Sequence, residues 1–125
     1  MVTTLVQIAE SFLEFARQEA RAGYEQRDER RIRDAAEKAW LAATQAVDHA
    51  MRTRGWTPPA GSGAHVARHQ FLEEIGRRDL SEKLGYFSDR LHGTIFYGGG
   101  VPLRDVMNAI LDEVAQFVAT FRAGV

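Results

Sequence analysis

Residues 28–54 read DERRIRDAAEKAWLAATQAVDHAMRTR, and within them Ile32, Ala36, Ala39, Trp40, Ala43, Val47, Ala50 and Met51 recur at steps of three and four. That is the helical period, so the spacing predicts one long amphipathic helix from about Asp28 to Arg54. Its apolar stripe is mostly alanine with Trp40 as the single large anchor, a surface that lets a neighbouring helix approach closely.

Working outward, Leu5, Ile8, Ala9, Phe12, Leu13, Ala16 and Ala20 repeat the same period upstream and predict a first helix over about 5–22, with Thr3 or Thr4 as N-cap. Gly23 is the expected helix stop, and Tyr24–Arg27 a short connection, which makes the first two helices an antiparallel hairpin. Downstream, residues 55–63 (GWTPPAGSG) hold two prolines and three glycines and are predicted as a loop. A third helix is expected over about Ala64–Arg78. A fourth should start with Ser81 as N-cap and run through Leu84, Phe87, Leu91 and Ile95 to the stop at Gly98–Gly100. Pro102 then opens a last helix whose stripe is Leu103, Val106, Ile110, Val114, Phe117 and Phe121. No segment alternates with period two, and no repeat or low-complexity tract interrupts the pattern. The expected fold is an all-α bundle of four to five helices.

Composition bounds the function classes. A chain of 125 residues with 45% hydrophobic and 26% charged side chains has the makeup of one globular domain spanning 1–125, neither a disordered tail nor a fibre. The formal charge of -1 denies the molecule a broad positive field for nucleic acid, so any such contact has to come from a local patch. Fourteen of the 16 basic residues are Arg, only Lys38 and Lys83 being Lys. Cysteine is absent, which removes disulfides, thiol nucleophiles and thiolate metal sites. The N-terminal stretch has no basic n-region, and Glu10 and Glu14 break its apolar run. A soluble, cytoplasmic protein without a membrane partner is expected.

Candidate chemistry is sparse. His65 and His69 share a helix face with Glu73, but His65 is followed by Val66 and Ala67 in place of the glutamate of a zinc hydrolase, so no metal site is expected. The glycines at 98–100 lack the Lys and Ser or Thr of a phosphate loop and follow a helix, so they are read as a linker, and no cofactor is expected. Arg27, Arg30, Arg31 and Arg33 alternate with Glu25, Asp28, Glu29 and Asp34, the pattern of a solvated, salt-bridged helix start. No serine lies in a Gly-x-Ser-x-Gly turn. The richest polar group is Asp89-Arg90-Leu91-His92: His92 is a candidate acid or base, Arg90 a candidate phosphate ligand, Asp89 a candidate to orient the imidazole, and Tyr97 a candidate contact near Arg90. Residues two apart on an α-helix point about 200° apart, so Arg90 and His92 of one chain cannot share a pocket.

The run Ala35-Ala36-Glu37-Lys38-Ala39-Trp40 with Ala42-Ala43, preceded by the Gly-Tyr pair and followed by Arg90-Leu91-His92 and Phe96-Tyr97, resembles the archaeal paralogous-repeat (PaREP-type) proteins of the HEPN superfamily. The resemblance extends over most of the chain and implies a four- or five-helix bundle, a homodimer and engagement of RNA or a nucleotide. Many proteins of that superfamily are ribonucleases or RNA-binding toxins that pair an Arg and a His across the dimer interface. Their Arg precedes the His by four to six intervening residues, whereas here only Leu91 separates Arg90 from His92. The resemblance therefore implies a dimeric module binding RNA, a nucleotide or a partner protein. The alternative is a metal-independent ribonuclease in which Arg90 of one chain meets His92 of another at a two-fold interface. A partner could also dock on the last helix through Val106, Ile110, Val114 and Phe117.

Overall fold

The computed structural model describes residues 3–58 and 60–125. Pro59 of the expected loop, and Met1 and Val2 of the expected N-terminus, lie outside the described residues. The described chain is helical with no strand: α1 (Leu5–Gln26), α2 (Glu29–Thr53), α3 (Ala64–Glu74), α4 (Arg78–Phe87) continuing directly into a π-helical segment (Ser88–Tyr97), and α5 (Arg104–Ala123). None of these helices is long and apolar enough to cross a membrane.

The helix α2 packs against every other element, and 13 of its 25 residues are buried. Toward α1 it presents alanines, and the facing Ala9, Ala16, Ala20 and Gly23 are buried as well, so the two backbones approach closely over their whole length. Thr4 caps α1 in a reciprocal capping box with Gln7, as its position before the apolar run implies.

The hairpin turn differs from the expected one. Helix α1 does not stop at Gly23 but continues to Gln26, and Arg27, at φ 53°, takes the left-handed position that ends it. The N–H of Asp28 bonds the Gly23 carbonyl at 2.8 Å and that of Arg27 the Tyr24 carbonyl at 3.4 Å, the two bonds of a Schellman cap. Gly23 is there for packing: a Cβ on it would lie 2.7 Å from Ile32 Cγ1 and 3.1 Å from the Ile32 nitrogen. The same cap closes α2 at Gly55 and α3 at Gly76, both with positive φ. Gly76 thus ends α3 four residues before the expected boundary at Arg78. Helix α4 starts at Arg78, and Ser81 is a buried residue in its first turns instead of an N-cap.

The last helix buries Met107, Ile110, Leu111, Val114, Phe117, Val118 and Phe121 against α1, α2 and the Phe87 ring. Leu103 and Val106, expected in that stripe, are 80% and 41% exposed, because the buried face runs one position later, through Met107. With Ile110, Val114 and Phe117 already buried inside the bundle, the face expected to dock a partner is not available for docking.

Candidate functional site around Trp40

One face of α2, at steps of three and four, carries Arg33, Glu37, Trp40, Thr44 and Asp48. It looks toward the π-helical segment and α3. At the far end of the π segment the Arg33 guanidinium donates two hydrogen bonds to the Phe96 carbonyl, at 2.8 and 2.6 Å, and reaches that of Tyr97 at 3.5 Å. A cation on the last carbonyls of a helix satisfies acceptors that have no partner within it and complements the dipole. Arg33 is therefore a structural clamp, and Arg31 bonds Gln26 and lies 3.5 Å from Glu19, neither of them one of the interleaved acids expected to offset the cluster.

The π geometry closes i to i+5, seen in the Gly98 N–H bonding the Gly93 carbonyl at 2.9 Å. In consequence His92 has Tyr97, five residues on, edge-on to its ring with centroids 4.8 Å apart, and Phe96 stacked at 6.2 Å. Trp40 lies 5.9 Å away on the α2 side. The His92 Nδ1 sits 2.9 and 3.0 Å from the two oxygens of Glu37. An ionised carboxylate only accepts, so in this contact Nδ1 is the donor and Glu37 the acceptor. Glu37, not Asp89, thus orients His92. Tyr97 is 69% exposed, and beside it Phe15, Glu19, Asp34, Glu37, Lys38 and Phe96 line an open depression of about 310 Å³.

Asp89 is exposed and Arg90 half-buried. Among the described residues Arg90 makes no hydrogen bond or ion pair, and the groups around the His92 ring are Glu37, Trp40, Phe96 and Tyr97. Within one chain Arg90 and His92 are not brought together. Tyr97 lies against His92.

Two histidines for which no metal role is expected from the sequence also lie at the site. His65 and His69 of α3 meet edge-on at 4.6 Å, and His65 packs against the other side of Trp40 at 5.8 Å. Burial, together with the neighbouring His69 and the Arg68 cation, holds His65 below the ordinary imidazole range against the opposing pull of Asp89. Burial lowers His69 as well, with Glu73 opposing, and its Nδ1 shares a 2.6 Å hydrogen bond with the Ser81 hydroxyl. The His65 Nδ1 is buried without a hydrogen-bond partner among the described residues. Next to this pair Arg68 forms a bidentate ion pair with Asp48, at 2.8 and 3.1 Å. Among the described residues no three His, Asp or Glu side chains are grouped to hold a metal ion. The i, i+4 spacing of His65 and His69 was visible in the sequence, but nothing local says that α3 folds onto Trp40.

Compared with known proteins, the chain matches no family model, and no curated protein or solved structure matches it significantly.

Proposed function

We propose that this chain is an HEPN-like helical module that forms a homodimer and binds RNA or a nucleotide through the π-helical segment, without the Arg–His spacing of the catalytic members. The observation that supports the reading is the exposed Tyr97 ring set against a His92 whose orientation is fixed by Glu37, beside an open depression. An accessible aromatic next to a polar edge suits base stacking, which contributes about 1–3 kcal/mol per base. Arg90 on the same segment supplies a cation for a phosphate. With a net charge of -1 the contact is small and local.

The test is fluorescence anisotropy with short single-stranded RNA and with mononucleotides, for the wild type, Tyr97→Ala and Arg90→Ala. Tyr97→Ala should weaken binding roughly tenfold, in line with the loss of one stacked base. Equal affinity in the wild type and Tyr97→Ala refutes the reading, and no binding by the wild type leaves only a partner protein.

The Glu37–His92 pair favours a second reading, a metal-independent ribonuclease in which Arg90 of another copy meets His92 at a two-fold axis. Cleavage in the presence of chelator, lost in His92→Ala, supports it; an inert wild type rejects it.

A further inference from the structure

We infer that the first half of α3 is an acid-released clamp: neutral His65 and His69 hold residues 64–68 on Trp40 and Ser81, and protonating the pair frees that turn and uncovers the indole. The geometry is one-sided. Past the histidines, Phe71 and Leu72 are fully buried, and Trp56 packs edge-on to Phe71 at 5.3 Å, so the second half of α3 is anchored by apolar contact that pH does not touch. The first half has no such anchor. Its Gly63 cap makes no side-chain hydrogen bond, Val66 is exposed, and the turn is held by His65 on Trp40, His69 on Ser81 and the Arg68–Asp48 ion pair.

A protonated imidazole donates from both nitrogens, yet the buried His65 Nδ1 has no acceptor to receive the bond. Two imidazolium rings 4.6 Å apart also repel, with the Arg68 cation beside them. The groups facing the pair are few. From α2 there are Trp40 and Asp48, the latter already engaged by Arg68; from α4 comes the neutral Ser81; from the π segment Asp89 attracts a cation and His92 repels one; on α3 itself Glu73 favours charge on His69. Among the described residues no carboxylate hydrogen-bonds either ring, in contrast to His92 with Glu37.

The experiment titrates Trp40 emission from pH 7.5 to 5.0 in a Trp56→Phe background, alongside hydrogen exchange of the α3 amides corrected for intrinsic rates. The expected result is a red shift with a midpoint below 6.5, accompanied by severalfold faster exchange of the Ala67 and Arg68 amides, the hydrogen-bonded ones of that turn, while residues 71–74 and the α2 amides stay protected. The shift should disappear in the double variant His65→Gln/His69→Gln and persist in His92→Gln. If the double variant does not fold, the exchange contrast within wild-type α3 still decides. Uniform loss of protection across α3 and α2, no shift in the wild type, or a shift abolished by His92→Gln alone overturns the inference.

Discussion

Replacing Gly23 by Ala inside a long helix should, on propensity alone, stabilise the protein by about 1 kcal/mol. The structure reverses the sign. The added methyl would sit 2.7 Å from Ile32 Cγ1, 3.1 Å from the Ile32 nitrogen and 3.2 Å from Arg31 Cβ, whereas unstrained carbon contacts lie at about 3.5–4.0 Å. Two of these three atoms are backbone or Cβ and cannot swing aside, so α1 and α2 must separate where the two-residue turn allows least play. Overpacking of this kind costs about 1–3 kcal/mol. For a chain of this length that corresponds to a Tm lower by roughly 3–10 °C. Gly85→Ala is the internal comparison, because its Cβ meets only His69 Cε1 at 3.7 Å, an ordinary contact, and it should be neutral or stabilising by up to about 1 kcal/mol. Denaturant unfolding of both variants, with Ile32→Ala as a second background, reads the contact directly. Removing Cγ1 should relieve part of the Gly23→Ala penalty as a positive coupling. A Gly23→Ala protein as stable as the wild type would refute the close approach of the hairpin.

Three further outcomes are expected. Arg27→Gly should raise stability by about 1 kcal/mol in thermal unfolding, since Arg27 occupies at φ 53° the left-handed cap position that Gly55 and Gly76 fill elsewhere in the chain. Asp48→Asn should cost about 3–5 kcal/mol in urea unfolding, because both partners of the bidentate pair with Arg68 are largely buried and the guanidinium loses its counter-charge. The folded-state pKa values of His65 and His69 lie below the ordinary value, so the unfolded chain binds more protons as pH falls. Their contribution is therefore complete above about pH 6.5 and is lost progressively below it, which urea midpoints at pH 7.5 and 5.5 will register.

The helices were legible because their apolar period is local information. Residues 28–54 announced the central helix, and the threonines at 3 and 4 and the glycine-proline loop after Arg54 marked two boundaries. What was not legible depends on neighbours distant in sequence. Gly23 looks like a helix stop until Ile32 is seen across from it. The π segment has no signature in its apolar residues, since Leu84, Phe87, Leu91 and Ile95 fit an ordinary α-helix equally well. His92 stood out as a candidate, but its partner Glu37 is 55 residues away and Asp89 only three, and the nearer carboxylate was the natural guess. Leu103 and Val106 continued the period of the last helix past the point where α1 and α2 provide a surface to bury it.

The two sides of α2 attach the rest of the chain by different physics. Toward α1 the seam is alanine and glycine, where attraction is dispersion and burial, without charge or direction. Toward α3 and the π segment the seam is Arg33 on carbonyls, Glu37 on an imidazole, Trp40 between two histidines and Asp48 on Arg68. Such contacts fix geometry closely, which is what a binding surface needs, but each works against the desolvation of polar groups. The hairpin should therefore be indifferent to mild acid, while the start of α3, held by His65 and His69, responds to it.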